Sequence, residues 1–199
     1  MTYPDSYVVW DLETTGLNPQ KDKILEIGAI KVVNGEKISE HSWILNHKME
    51  IPEVITEITG ISKDLVDSEG VEPEFAIDEF RKLFLDMEVP HHVTHNGLNF
   101  DIHFLKNTTG SMSSLFLRSA IDTAAIYKGR KLNMQLSDAE PFFRYARRVL
   151  DTRAPGVRFS LHVACEESGI DMTGVERHRA LGDTILTNEI YKVICLTNP

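Results

Sequence analysis

Tyr7-Val8-Val9-Trp10-Asp11-Leu12-Glu13-Thr14-Thr15-Gly16-Leu17 opens as a continuous apolar run and then places two acids two residues apart. The run Tyr7 to Trp10 has the pattern of a strand buried on both faces. Asp11 ends that strand and Glu13 follows as it runs out. Side chains two apart along a strand face the same way, so these two carboxylates share a side. In open α/β sheets, functional sites gather where strands end.

Working outward, Ile24 to Val33 reads as a second strand rich in β-branched residues. Asn34-Gly35 then supplies the pair that a type I′ turn requires, and a third strand from Ser42 to Leu45 returns antiparallel. Ala76, Phe80, Leu83, Phe84 and Met87 recur at helical spacing, with Pro73 suited to the helix start. His92 to His95 reads as another strand, with a helix beginning near Asn99. A helix from Ser160 to Ser168 ends with Gly169 as its C-cap. A last helix, from about Ala180 to Leu196, carries Leu186, Ile190, Val193 and Ile194 on one stripe. A hairpin followed by alternating strands and helices predicts an α/β domain, a mixed sheet covered by helices. The 199 residues, without repeats or a Gly/Ser linker, fit one domain over 1–199.

Composition narrows the class. Hydrophobic content of 42% and charged content of 26% suit a soluble globular protein. No apolar run approaches the roughly 20 residues of a bilayer-spanning helix. The first residues lack the basic flank and apolar stretch of a secretory signal. A cytoplasmic protein with no membrane partner is expected. Cys165 and Cys195 read as buried reduced thiols, too few for a disulfide framework or a zinc site. The net charge of −9 argues against a partner made of phosphates, but residues 50–90 hold 12 of the 30 acids and only 3 of the 21 bases. The rest of the chain is neutral. Its bases cluster at Lys128, Arg130 and Lys131 and at Arg144, Arg147, Arg148, Arg153 and Arg158, runs that are more often solvated faces than binding sites.

Asp101 heads a helix just after a strand, and Asp183 lies in the first turn of the last helix. Taken singly, either reads as a helix cap or a solvated acid. Taken with Asp11 and Glu13, they form a cluster that is electrostatically unfavourable unless cations bind. Hard oxygen ligands select Mg²⁺ or Mn²⁺. Two such ions about 4 Å apart suit in-line displacement at phosphorus.

Asp11-Leu12-Glu13-Thr14-Thr15-Gly16-Leu17 resembles the first motif of the DEDDh 3′–5′ exonucleases. That family includes the proofreading epsilon subunit of bacterial DNA polymerase III, ribonuclease T and oligoribonuclease. Asn96-Gly97-Leu98-Asn99-Phe100-Asp101 resembles its second motif, and His178-Arg179-Ala180-Leu181-Gly182-Asp183 its third. A related branch carries tyrosine where this chain has Arg179, so His178 marks the histidine branch. The resemblance implies a ribonuclease H-like exonuclease fold, a mixed five-stranded sheet flanked by helices, with the 24–45 hairpin as its middle strands.

It also implies roles. Asp11, Glu13 and Asp183 would hold one metal ion, Asp11 would reach a second, and Asp101 would support that second ion through water. His178 would be the general base, a role that suits imidazole with its ordinary pKa of about 6.5. Backbone N–H groups of Thr14, Thr15, Gly16 and Leu17, with the Thr15 hydroxyl, would meet the 3′-terminal sugar. Leu17 would wedge against the last base and Phe100 would pack on a neighbouring base or sugar, although each also reads as core packing. Asn96 either contacts substrate or caps its turn, and Glu26 reads as a structural hydrogen-bonding acid. Ile58-Thr59-Gly60-Ile61 stands where the family often has His-Gly-Ile, so that contact is missing or replaced.

The implied reaction releases nucleoside 5′-monophosphates from nucleic acid 3′ ends, DNA in preference to RNA, with two divalent cations, Mg²⁺ or Mn²⁺. A polymerase or another replication or repair protein is the implied partner. The alternatives are an exoribonuclease that trims RNA ends or short oligoribonucleotides, and a catalytically silent nucleic-acid-binding module.

Overall fold

The computed structural model describes residues 3–109, 111–137 and 139–197, leaving aside the side chains of 109, 111 and 113. Tyr7–Thr14 forms β1, Ile24–Val33 forms β2 and Glu36–Ile44 forms β3, an antiparallel meander. The first strand outlasts its apolar run because β2 offers partners to the end, pairing Asp11 with Gly28, Glu13 with Glu26 and Thr14 with Ile24. Asp11 and Glu13 therefore lie within the strand rather than at and beyond its end. Asn34 (φ 50°) and Gly35 (φ 79°) both take the positive φ of the expected turn. The third strand starts directly after it at Glu36, six residues earlier than its pattern suggested, because its first half is exposed and lacks apolar alternation.

Two short parallel strands, β4 (His92–Thr94) and β5 (Ala120–Asp122), complete a five-stranded sheet ordered β3-β2-β1-β4-β5. The hairpin is thus one edge of the sheet, not its middle; β1 is central because β4 pairs along its other side. The last of these strands was not located in the sequence, since three residues carry no readable period.

Helices α1 (Glu53–Thr59), α2 (Lys63–Glu69) and α3 (Pro73–Phe84) follow the meander. Pro73 occupies the first turn of α3, where its missing N–H costs nothing. Met87 falls beyond that helix and is 86% exposed, so it does not extend the apolar stripe. After β4 come α4 (Asp101–Thr109) and α5 (Ser111–Ser119), and after β5 come α6 (Thr123–Lys131), α7 (Phe142–Asp151), α8 (Leu161–Glu167) and α9 (Ala180–Leu196). Among the described residues, no helix is long and apolar enough to cross a membrane.

Strand parity sorts the core into two layers. Val8, Trp10 and Leu12 join Ala76, Phe80, Phe84 and Phe116 on one face. Trp10 meets Phe116 and Phe80 edge-on at centroid distances of 5.0 and 5.5 Å, a geometry favoured by the ring quadrupoles. Tyr7, Val9, Ile30 and Val32 face the other way, against Leu186, Ile190, Tyr191 and Ile194 of α9. Asp11 and Glu13 share the parity of Tyr7 and Val9 and so look toward α9.

The last helix lies very close to the sheet at its N-terminal end. A Cβ built on Gly28 would fall 2.3 Å from the Ala180 carbonyl carbon. Backbone cannot yield as a flexible side chain can, so Gly28→Ala must push the start of α9 outward. We expect a loss of about 1–3 kcal/mol or more, the usual cost of overpacking, measured as a lowered midpoint of thermal or urea unfolding. A midpoint within error of wild type would show that this approach is not as tight as described.

Candidate active site

Three carboxylates converge where β1 meets the start of α9. Oxygens of Asp11, Glu13 and Asp183 all lie within 4.8 Å of one another. Two come from alternate positions of one strand, and the third from the first turn of the helix that crosses it. Asp101 is the first residue of α4 and is buried, and it stands outside this group of three. Its charge nonetheless acts on Asp11, as the largest of the neighbouring charges that raise that carboxyl.

The cluster resists ionisation. Burial, then the charges of Asp101, Asp183, Glu13 and Glu26, push Asp11 well above the usual carboxylate range. Burial and the charge of Asp183 raise Glu13 to about 8, with Arg179 pulling the other way. Burial raises Asp101 to about 7, against the backbone N–H groups of Asp101 itself and Leu12. Asp183 is raised by burial, and His178 counteracts this through its charge and a backbone hydrogen bond. Asp101 Oδ1 is also buried without a hydrogen-bond partner, an arrangement proteins avoid unless something else satisfies the group. A hard divalent cation fits this donor set, because its charge offsets the repulsion and its water can reach the orphaned oxygen.

A second buried acid builds the turn that delivers Asp101. Asp122, at the end of β5, accepts hydrogen bonds from the N–H groups of Asn96 (2.9 Å), Leu98 (3.1 Å) and Ala125 (3.2 Å). Asn96 takes φ 67° there, a left-handed conformation that asparagine tolerates. Its backbone thus forms part of the turn. The sequence showed Asp122 only as one more acid, because the strand it ends was not recognised.

The loop after β1 is held from within. Thr14 and Thr15 are buried; Thr14 Oγ1 donates to the Gly16 carbonyl at 2.7 Å, and Thr15 Oγ1 accepts from the Lys23 N–H at 3.0 Å. The Thr15 hydroxyl oxygen is therefore already engaged in shaping the loop. Gly16 lies against Asp22, whose carboxylate a Cβ there would meet at 2.5 Å. Leu17 is 83% exposed, which removes its core-packing reading. Phe100 is half-buried against Phe104 at 5.1 Å, so it does pack on the core.

His178 is exposed and takes φ 59°, strain that persists only where the surroundings impose it. The chain that leaves His178 is held by two residues, neither singled out for that in the sequence. Arg179 forms a bidentate pair with buried Glu26, whose carboxylate also receives the Ala180 N–H and the Ser42 hydroxyl. Glu26 is the structural hydrogen-bonding acid it was read as. Thr59 and Gly60 close α1, with Ile61 fully buried, so this segment serves helix capping and the core. The basic runs are largely spoken for. Lys128 is buried and donates to the Leu150 and Thr152 carbonyls, while Arg147, Arg148 and Lys131 pair with Asp151, Glu140 and Glu167.

Residues 8–191 match the exonuclease family. A DNA polymerase III of the PolC type from Clostridium perfringens is 29% identical over 191 residues, covering 96% of this chain and 11% of that protein. The epsilon subunit of DNA polymerase III from Rickettsia prowazekii is 31% identical over 186 residues, covering 92% of this chain and 71% of that one. Escherichia coli exonuclease I in complex with single-stranded DNA superposes with a TM-score of 0.71 at 17% identity, covering 99% of this chain and 42% of that one. That likeness establishes the ribonuclease H-like fold. The chain spans about a tenth of the PolC-type polymerase.

The raised carboxyls set a pH dependence for the metal-free protein. Their folded pKa values exceed their unfolded ones, so stability is fully present below the unfolded carboxylate range and is lost as pH rises through about 7 to 8. In EDTA the melting temperature should fall from about pH 5 to about pH 9, and Mn²⁺ should restore it with release of protons. A melting temperature indifferent to both pH and Mn²⁺ would count against a shared cation site.

Proposed function

The chain belongs to the exonuclease family, and from that premise we propose that it hydrolyses the 3′-terminal phosphodiester of DNA, releasing nucleoside 5′-monophosphates one at a time. The observation that carries this is the meeting of Asp11, Glu13 and Asp183 within 4.8 Å, with the orphaned oxygen of buried Asp101 behind them. Polymerase III relatives and the exonuclease I complex with single-stranded DNA favour DNA as substrate. They also make a replication or repair polymerase the partner to test.

Asp11, Glu13 and Asp183 would hold one divalent cation, Mg²⁺ or Mn²⁺, and Asp11 with Asp101 a second. When bound, such a pair stabilises the entering and departing oxygens of an in-line displacement. The protein's own groups do the rest. His178, exposed beside Asp183, takes a proton from the attacking water at a ring nitrogen. Leu17 offers an apolar edge to the terminal base, and the backbone of 14–17 meets its sugar. Stacking of this kind tolerates every base.

Matched 3′- and 5′-labelled single-stranded DNA and RNA oligonucleotides, incubated with Mn²⁺, Mg²⁺ or EDTA, test the reading. We expect metal-dependent laddering from the 3′ end, faster on DNA. Faster RNA degradation would turn the assignment to an exoribonuclease, and no cleavage of either by folded protein would leave a binding module. Asp11→Ala and Asp183→Ala should abolish activity; near-wild-type turnover in either would remove the ligand assignment. His178→Ala should lose about a hundredfold or more in kcat, as removal of a general base does.

A further inference from the structure

Glu26 lies one strand away from the carboxylate cluster. It pairs across the β1–β2 ladder with Glu13 and is fully buried. A buried carboxylate beside other carboxylates is costly unless its charge and lone pairs are matched. Four donors match this one. Ser42 Oγ on β3 donates at 2.8 Å, Arg179 Nε and Nη2 at 3.0 and 2.8 Å, and the Ala180 N–H at 2.8 Å. The Ala180 N–H opens α9, and helices leave their first N–H groups without internal partners. Arg179, at the cap position, makes no side-chain cap bond. A strand residue distant in sequence therefore caps the helix that carries Asp183.

We propose that Glu26 and Arg179 are positioning residues, a clamp that holds the two halves of the site in register. One half is the sheet with Asp11 and Glu13; the other is the start of α9 with His178 and Asp183. This rests on the nuclease reading above. The single carboxylate grips the residue after His178 by its side chain and the next residue by its backbone, so the chain leaving His178, itself at φ 59°, is anchored at two consecutive residues. The N–H of Asp183 bonds the Arg179 carbonyl at 2.9 Å, which ties the candidate ligand to the clamped residue. Gly28 lets the helix come close enough for these bonds. None of these contacts involves the 14–17 loop. Loosening the clamp misaligns metal ligands and base together and leaves substrate binding alone.

The test compares wild type with Arg179→Lys and with the double variant Glu26→Gln/Arg179→Met. Lysine keeps the charge but lacks the two-pronged fork. The double variant removes both charges at similar size, a change that leaves stability near wild type more often than deletion of one partner does. Thermal melts report folding, calorimetry reports Mn²⁺ binding, and steady-state kinetics on a DNA oligonucleotide report kcat and KM. The folded variants should lose about 10- to 100-fold in Mn²⁺ affinity and in kcat, with KM within about threefold of wild type. Wild-type Mn²⁺ binding and kcat in the folded double variant would overturn the clamp and leave a merely structural ion pair. Should that variant not fold, Arg179→Lys gives the same two-way answer. A wild-type protein that neither binds Mn²⁺ nor cleaves would overturn the nuclease reading instead.

Discussion

Mutual repulsion among four carboxylates at one end of a central strand is the constraint that the rest of this structure answers. Asp11, Glu13 and Asp183 converge within 4.8 Å and Asp101 stands close enough to raise Asp11. Burial magnifies the repulsion, because charges removed from water interact in a weaker dielectric. Left alone the cluster keeps protons it would lose in water, as the raised positions of Glu13 and Asp101 show. Arg179, whose charge acts on Glu13, is committed to Glu26. A site so arranged is complementary to divalent cations.

Holding the cluster together falls to backbone geometry more than to apolar packing. Strand parity turns Asp11 and Glu13 toward α9, and the glycine opposite Asp11 lets that helix approach to backbone contact. Gly182 does the same on the helix side, where a Cβ would lie 1.8 Å from the Glu176 carbonyl oxygen. The segment carrying His178 therefore lies flat against the helix start. Two further buried acids fix the backbone: Glu26 caps α9 and Asp122 pins the 96–98 turn. Each is satisfied by several donors, which is the condition under which a buried acid stabilises rather than weakens a structure.

Membership of the exonuclease family rests on a match that runs from β1 to the middle of α9. Its relatives embed a domain of this kind in very different settings, covering 11% of a PolC-type polymerase and 71% of an epsilon subunit.

The sequence by itself determined the class of chemistry and most of the elements. Asp11 and Glu13 at like parity, the Asn34-Gly35 turn, Pro73 at a helix start and the stripe of α9 are all local patterns that carry their own physics. Three ordered motifs tied His178 and Asp183 to the first strand. The placement of the 24–45 hairpin at the sheet edge, the three-residue β5, and the continuation of β1 through Glu13 depended on which strands pair, and no local pattern encodes that. Only the tertiary structure decided that Leu17 stands free while the Thr15 hydroxyl accepts a bond within its own loop, and that Glu26 and Arg179 clasp α9. Those contacts join residues more than 150 positions apart. Local periodicity reports which face of an element is buried, but the partner that covers that face is set by how the whole chain closes.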